Sequence, residues 1–456
     1  MNFKHKIKIS KLYQILQYYG QIRGDVIKFL QQLQIAIKVK TYSDIHGMNF
    51  QLFISRRLAI GDKQSFSRFI IRIAVLAIAL SVSVMIISTC MVTGFSKEIK
   101  DRIFGFWGEI HITNFDNNES LEASPIKQQQ VALYILRQAP EVHNVAPYII
   151  KAGILKTKSD IEGIVFKGID TAYDLQTIGS FLKEGTLPDF RDTTSCKSIL
   201  VSQSTARKLN LKVGDFVVAY FIRKDLATPQ GRKLMISGIY HTGLEEYDKQ
   251  FALVDIRMLR ALNQWSNDEV SGFEVRLKDI NTMDAFKDSI FLNYVDQTIN
   301  AQTMKDINRN IFEWLDLQKV NEYLILGFMV LVAVLNMITA LIILILDRTN
   351  MIGVLKSMGA NNKSISGIFM YNAAYIILNG LFWGNLIGIG MCLLQYYTGF
   401  ITLNEENYYL SVAPVYFNVW GILLINVSTL VICTLIMLLP VRLISNITPI
   451  KAIRFK

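Results

Sequence analysis

Four long stretches without a charged residue constrain this chain more than any other feature of its sequence. Two of them, Ile73–Ser96 and Tyr323–Leu346, run 24 residues each. Two more are predicted inside longer uncharged runs, at about Ile368–Gln395 and Val419–Leu439. A helix needs about 20 apolar residues to cross the roughly 30 Å of hydrocarbon in a bilayer. Because buried core helices rarely run this far without a charge, the sequence predicts four transmembrane helices.

Composition adds a water-soluble part to these spans. The chain has 456 residues, of which 51% are hydrophobic and 19% are charged, and its mean hydropathy is +0.30. Soluble domains carry about 25% charged residues, so this chain is too apolar to be soluble throughout and too polar to lie wholly in a membrane. The same values exclude a disordered chain and a small disulfide-rich scaffold.

The net charge of +11 belongs to the parts of the chain that flank the membrane. Residues 97–321 hold 28 basic and 30 acidic residues, whereas the rest holds 20 basic and 7 acidic. A nucleic-acid-binding protein would need a basic face on its folded domain, so no nucleic-acid partner is expected. Short loops rich in Lys and Arg mark the cytoplasmic side. Such residues precede the first span, separate the second from the third and follow the fourth, which predicts cytoplasmic termini and residues 97–321 outside.

These observations predict an α-helical membrane protein with four transmembrane helices and a large α+β extracytoplasmic domain inserted between the first and the second. The predicted segments in chain order are a basic N-terminal extension (1–47), a cytoplasmic amphipathic helix (48–66), the first span (67–96), the outer domain (97–321) with an inserted subdomain at about 190–265, the second span (322–346), a cytoplasmic coupling loop (347–366), the third span (367–397), a short outer loop (398–416), the fourth span (417–441) and a cytoplasmic tail (442–456).

The N-terminal extension has two interpretations. Residues 1–47 are basic and rich in Gln and lack an uninterrupted apolar segment, so they do not resemble a signal peptide. They form either a partner-binding or membrane-surface helix, or a dispensable segment that translation from Met48 would omit. From Met48 onward, apolar residues at helical spacing with Arg56 and Arg57 off that face predict a helix on the inner leaflet.

The outer domain mixes strand and helix patterns. Alternating apolar residues predict strands at 109–115, 161–170, 216–222 and 272–277. Helical patterns cover Pro125–Gln138, Ser202–Leu209, Met283–Leu292 and Lys305–Gln318, the last leading into the second span. Because strands and helices interleave without a regular βαβ rhythm, an α+β domain is expected. Of the four cysteines, only Cys196 falls in this domain, so no disulfide is predicted within it.

No catalytic or metal-binding pattern supports an enzyme or a sensor. The sequence has no HExxH, CxxC or GxSxG, and its five His residues lack ligand spacing. The string GANNKS (359–364) lacks the first glycine of a phosphate-binding loop and precedes a span. We therefore expect no catalytic residue, no metal and no cofactor on this chain.

Several strings resemble one family of membrane proteins. The loop DRTNMIGVLKSMGANNKSI (347–365) resembles the RxxEIGxLRAxGAxxxxI signature of the FtsX/MacB-type ABC-transporter permeases. The C-terminal PIKAIRFK (449–456) and the stretch from Glu184 to Val218 are similar to further family strings, and the order of one span, an outer domain and three spans is theirs too. Where the signature has Glu, this chain has Met351, which removes any role of that acid.

The lipoprotein-releasing LolC/LolE branch is the most similar, on MNFQLFISRRL (48–58) and VTGFSKEIKDRIFGFWGEIHITNF (92–115). That resemblance implies a permease subunit in the inner membrane, whose ATP and Mg are bound by a separate LolD-like cytoplasmic ATPase. It also implies a second permease copy or homologue, lipoprotein cargo in contact with membrane lipids, and a LolA-like periplasmic carrier. Alternatives within the family are MacB-like efflux of peptides or hydrophobic molecules, and FtsX-like mechanical signalling to a cell-wall hydrolase.

Three sets of site residues follow from the sequence. The basic loop is expected to form an amphipathic coupling helix that docks on the ATPase. The predicted contact residues are Ile352, Gly353, Leu355, Lys356, Met358 and Gly359. Ile365 is a further apolar residue of the loop. The TPQGR string resembles the tip of a hairpin that hooks the carrier in the LolC branch, and its matching residues are Thr228, Pro229, Gly231 and Arg232. Adaptable methionines in the first two spans are predicted to line the cargo path, namely Met85, Met329 and Met337.

Overall fold

The structure is a computed structural model, and it describes Gln51, Ser55 and residues 66–115, 124–158, 160–191, 197–222, 229–293, 299–404 and 408–442. The extension 1–47, most of the amphipathic helix 48–66, Cys196, Thr228 and the tail from 443 onward lie outside these residues, so the predictions made for them stay predictions.

Four helices in the described chain are long and apolar enough to cross a membrane. Their bounds are α1 (Phe66–Trp107), α9 (Arg309–Asp347), α11 (Asn362–Thr398) and α12 (Val419–Ile436). The short helices α10 (Thr349–Ser357) and α13 (Leu438–Val441) follow α9 and α12 respectively.

The first two long helices extend well beyond a bilayer. α1 has 42 residues, which at 1.5 Å per residue gives about 63 Å, roughly twice the hydrocarbon thickness. The predicted span ended at 96, but the helix continues through five charged residues and ends at Trp107. α9 likewise begins at Arg309, before its apolar part. The predicted helix 305–318 is therefore divided, because Met304–Ile307 forms a separate turn that ends at Asn308.

Contacts divide the chain into two units. One comprises residues up to 82, 330–384 and 426 onward; the other comprises residues 83–329 and 385–425 and contains the folded domain. We call these the inner unit and the outer unit.

The folded domain contains twelve strands among the described residues. They are β1 (Ile110–Asn114), β2 (Ile126–Lys127), β3 (Val142–Lys156), β4 (Ile161–Ile169), β5 (Leu182–Gly185), β6 (Ser198–Ser202), β7 (Phe216–Phe221), β8 (Gln230–Tyr240), β9 (Phe251–Asp255), β10 (Glu269–Val270), β11 (Gly272–Leu277) and β12 (Ile299–Thr303). The helices among them are α2 (Leu133–Leu136), α3 (Leu175–Phe181), α4 (Gln203–Lys208), α5 (Glu245–Gln250), α6 (Ile256–Asn263), α7 (Met283–Asn293) and α8 (Met304–Ile307).

Ten of the strands form one sheet in which β3 joins two parts. Its first half pairs with β11, which continues through β1 to β12. Its second half pairs with both β4 and β7. Since β4 pairs with β9, β9 with β6, β6 with β8 and β8 with β7, these six strands close into a ring. The ring is a small β-barrel, and Phe166 and Phe221 pack inside the fold with ring centroids 4.7 Å apart.

The segment 190–265 supplies strands that close the barrel together with β3 and β4, and its description as an inserted subdomain stays a prediction. One prediction about the domain is corrected. The helix predicted for Pro125–Gln138 is mostly absent: β2 pairs with β10 through Ile126 and Lys127, a 3-10 turn follows, and only Leu133–Leu136 is helical. Pairing with a distant strand has overridden the local helical pattern.

Candidate functional site: coupling, hand-over and membrane surfaces

The predicted coupling loop contains a helix with a defined end. α10 ends in a Schellman motif, in which the Ala360 N–H donates to the Leu355 carbonyl and the Gly359 N–H to the Lys356 carbonyl, both at 3.0 Å. Gly359 has a φ of +91°, a conformation that side chains with a Cβ adopt at a cost. Apart from its own neighbours in the chain, no heavy atom of the described residues lies within 4 Å of the position of a Cβ on Gly359, so there is space for a side chain there.

The predicted coupling residues divide into two faces. Ile352, Gly353 and Ile365 are buried within the chain, so they support the loop instead of presenting a docking surface. Leu355 and Lys356 are half-buried. The exposed apolar residues are Val354 and Met358, the latter 78% exposed. The sequence missed Val354 because the same helical spacing that buries Ile352 turns this neighbour outward.

The hairpin predicted to bind the carrier is built from two barrel strands, and we call it the hand-over hairpin. β7 and β8 pair in antiparallel register, from Phe216 opposite Met235 to Phe221 opposite Gln230. The first arm therefore ends at Phe221, which agrees with the strand predicted for 216–222. Pro229, Gly231 and Arg232 are exposed and lie at the start of the return strand, not at the centre of a tight turn, and Thr228 is outside the described residues.

Large apolar side chains are exposed on and beside this hairpin. Phe216 and Ile222 are exposed, and Met235 lies opposite Phe216 with 39% of its surface accessible. The Lys233 ammonium lies 4.4 Å from the centroid of the Phe216 ring, which holds a cation against the apolar surface. Alternation in the sequence marked these residues as strand but did not show which of them face solvent.

The methionines predicted for the cargo path are mostly interior. Met85 in the outer unit and Met337 in the inner unit are 1% and 0% exposed, and Met329 is half-buried. Both side chains are buried within the single chain, and their place in a cargo path stays a prediction. On α1 the surface instead carries four apolar residues at helical spacing, Phe69, Ile73, Leu76 and Leu80.

Glycines on α11 lie in close contact with α1. In the inner unit, a Cβ on Gly384 would lie 2.8 Å from the Val82 Cβ and 2.9 Å from the Ala79 carbonyl oxygen. In the outer unit, a Cβ on Gly388 would lie 3.1 Å from Ser83 Cα. Glycines four residues apart allow helices to approach this closely. The four-residue spacing of Gly380, Gly384 and Gly388 is visible in the sequence, but it was not used there to predict close helix packing.

A buried ionic cluster joins the end of α1 to the folded domain. The Lys167 ammonium lies 2.8 Å from Glu274 Oε1 and donates to the Phe106 carbonyl at 2.7 Å and to the Tyr173 hydroxyl at 2.8 Å. That hydroxyl is 2.7 Å from both Glu274 Oε2 and the Phe106 carbonyl. The ammonium also lies 3.8 Å from the Trp107 ring centroid. α1, β4 and β11 thus meet at one fully buried ammonium group. Its positive charge is favourable at the C-terminal end of α1, which is the negative end of the helix dipole.

Burial governs the protonation of this cluster and its neighbours. It lowers the pKa of Lys167 to about 8, although the attraction of Glu274 opposes the shift. Burial raises the pKa of Glu274, again against the attraction of Lys167. Burial, together with the charge of Lys167, lowers the pKa of His111 to about 3, so this imidazole is neutral while its Nε2–H donates to the Trp107 carbonyl at 3.0 Å. No group of three or more His, Cys, Asp or Glu in the described ranges is arranged to hold a metal ion.

Four long apolar helices, a folded domain inserted after the first and a short basic helix after the second define a membrane permease. Residues 73–290 match the family model of the MacB-like periplasmic core domain, and residues 323–449 match that of the FtsX-like permease C-terminal region. The chain therefore contains a MacB-like periplasmic core domain and an FtsX-like permease C-terminal region, and it is an inner-membrane protein.

Curated relatives match over nearly their whole length. A LolC lipoprotein-releasing system transmembrane protein of Xylella fastidiosa is 23% identical over 88% of this chain and 97% of its own. A LolE protein of Haemophilus influenzae is 22% identical over 89% of this chain and 99% of its own. Among solved structures, the periplasmic region of MacB from Actinobacillus actinomycetemcomitans is 15% identical over 45% of this chain and 92% of its own, with a TM-score of 0.33.

Proposed function

We propose that this chain is the permease subunit of an ABC transporter that releases lipoproteins from the inner membrane to a periplasmic carrier. The observation that carries the proposal is similarity to lipoprotein-releasing LolC and LolE proteins along 88–89% of the chain and 97–99% of those proteins. A lipoprotein anchored by acyl chains cannot cross water unaided, since each exposed CH₂ costs about 0.8 kcal/mol. Release therefore needs energy from ATP and a hydrophobic receiver.

In this proposal the energy comes from a separate LolD-like ATPase that binds ATP and Mg. Its contact on this chain is α10, whose exposed residues Val354 and Met358 supply an apolar surface and whose Lys356 supplies charge. The Schellman end at Gly359 fixes the direction in which the chain leaves that surface. Buried Ile352 and Ile365 attach the surface to the helices that it must move.

The receiver is a LolA-like carrier that docks on the hairpin of β7 and β8. Arg232 offers a planar set of donors to carbonyls or carboxylates of the carrier. Pro229 restricts the backbone beside it, so less conformational entropy is lost on docking. Exposed Phe216 and Ile222 add apolar area to the same region.

A second permease copy or homologue completes the machine. The exposed face of α1 formed by Phe69, Ile73, Leu76 and Leu80 would contact that copy or the acyl chains of the cargo. The charge pattern of the loops supports cytoplasmic termini, which puts α10 on the side of the ATPase and the folded domain in the periplasm.

Arg232→Glu tests the hand-over step. We expect this variant to lose carrier pull-down and to stall lipoproteins at the inner membrane, because it replaces the docking cation with an anion. ATPase activity and permease abundance should not change, since Arg232 is exposed and bonds only to the carbonyl of Gly231 in the described chain. The matched control is Arg207→Glu, also exposed but on α4. Undiminished carrier pull-down by Arg232→Glu would remove the hairpin from the proposal and favour efflux.

A further inference from the structure

A cleft of about 890 Å³ lies within the outer unit, apart from the coupling helix and the hairpin. Three helices and one loop form its walls. They are α1 from Thr89 to Asp101, α9 from Lys319 to Leu326, α12 with the turn before it from Tyr416 to Ile425, and the loop from Lys278 to Asn281.

The cleft changes from uncharged to charged along both of its long helices. On α1 the lining runs from Thr89, Val92, Thr93 and Ser96 to Lys97, Lys100 and Asp101 as the helix approaches the folded domain. α9 runs in the opposite direction from the domain, and its lining changes from Lys319 and Glu322 to Tyr323 and Leu326. Both helices therefore put charged residues at the domain end and uncharged side chains at the membrane end. An amphiphile at a membrane surface has the same order of polar and apolar parts.

Four lysines and three acids face this cleft, so it has an excess of one positive charge. The set is Lys97, Lys100, Lys278, Lys319, Asp101, Asp279 and Glu322. Three of the lysines have local contacts: Lys97 with the Tyr416 ring at 4.2 Å, Lys278 with the Pro140 carbonyl at 2.8 Å, and Lys319 with Asp316 at 3.1 Å.

Lys100 differs from the other three. It is half-buried, and no carboxylate among the described residues lies within 4.0 Å of its ammonium. Lys100 shares the cleft with Lys97 and Lys319. Like charges that lie close together are unfavourable unless an anion lies between them. Asp316, 3.1 Å from Lys319, is also the carboxylate that attracts Lys100, so one acid serves two ammonium groups and a further anion between them would be favourable.

We propose that the cleft binds the phosphate of a glycerophospholipid from the leaflet next to the folded domain. The phosphate contacts Lys97, Lys100 and Lys319, and an acyl chain lies along Val92, Leu326 and Ile425. The Tyr323 and Tyr416 rings flank the headgroup at the level where aromatic residues are enriched in membrane proteins. This lipid is a resident ligand of the permease and not its cargo, so the site goes beyond the proposed transport function.

The test measures lipid retention by native mass spectrometry of the full chain released from nanodiscs. The nanodiscs contain either phosphatidylglycerol or diacylglycerol with the same acyl chains, in a background of digalactosyldiacylglycerol, a lipid without phosphate. We expect phosphatidylglycerol to be retained and diacylglycerol not. The variant Lys97→Gln/Lys100→Gln/Lys319→Gln should retain phosphatidylglycerol at least about tenfold less, because each basic residue at a membrane surface adds to the attraction of anionic lipid.

A matched variant controls for net charge. Lys208→Gln/Lys249→Gln/Lys305→Gln removes three exposed lysines of the same unit that lie outside the cleft and should retain lipid like the wild type. Equal retention of diacylglycerol and phosphatidylglycerol, or an unchanged triple cleft variant, would overturn the phosphate site. Displacement of the lipid by millimolar inorganic phosphate would overturn the lipid as its source. Lipoprotein release is measured separately, so failure here leaves the transport proposal standing.

Discussion

At the residue scale, the buried pair of Lys167 and Glu274 has the largest predictable effect on the free energy of unfolding. Removing one partner of a buried pair leaves an uncompensated charge and costs about 3–5 kcal/mol, whereas replacing both with apolar residues is often neutral. We expect Lys167→Met to lower the thermal unfolding temperature of the purified protein strongly, and Lys167→Met/Glu274→Leu to recover much of the loss. The Tyr173 hydroxyl keeps the Phe106 carbonyl as a partner in the double variant. A double variant no more stable than the single would contradict this account.

His111 makes the stability of the same region depend on pH. Its folded pKa of about 3 lies below the unfolded value near 6.5, so only the unfolded chain takes up this proton between these limits. Stability from this group is complete above pH 6.5 and falls as the pH falls, by about 2 kcal/mol at pH 5. His111→Gln should flatten the pH dependence of the unfolding temperature between pH 7 and 5, and exposed His143→Gln should not. An unchanged slope in His111→Gln would refute the assignment.

At the scale of the element, the C-terminal end of α10 at Gly359 can be tested by mutation. Gly359→Trp forces a residue with a Cβ into φ +91° and puts a large ring at the open end of the helix. We expect loss of permease-stimulated ATP hydrolysis with normal membrane insertion, measured with the reconstituted ATPase. Gly359→Asn is the control, because Asn tolerates this backbone conformation and is small, and it should keep most of the stimulation. Normal stimulation by the Trp variant would show that the ATPase does not dock here.

Elements with strong local patterns could be predicted from the sequence, and those fixed by distant partners could not. The four spans and the strand at 272–277 follow from uncharged runs and alternation, which need no knowledge of the fold. Lys167 was missed because β4 is buried on both faces from Ile164 onward, so its alternation carries no information about which residues face solvent. The barrel was missed because its closure depends on β7 pairing with β3, about 65 residues earlier in the chain.

At the scale of the whole molecule, charge sets the expected topology. The segment 347–363 around α10 carries Arg348, Lys356 and Lys363 against one acid, Asp347, whereas the folded domain is nearly neutral. Short basic loops stay in the cytoplasm, and long domains cross largely regardless of charge. The coupling helix and the domain should therefore be accessible from opposite sides, as an ATPase on one side and a carrier on the other require.

Single cysteines labelled by a membrane-impermeant maleimide test this topology in cells. The background can keep the buried Cys90, Cys392 and Cys433 and needs only Cys196→Ser. Lys208→Cys and Lys305→Cys, both exposed on the domain, should be labelled in cells whose outer membrane alone is permeable. Met358→Cys, 78% exposed on the coupling loop, should react only after the inner membrane is opened as well. Labelling of Met358→Cys from the periplasm would invert the topology and place α10 beyond the reach of any cytoplasmic ATPase, so this experiment also tests the premise of coupling.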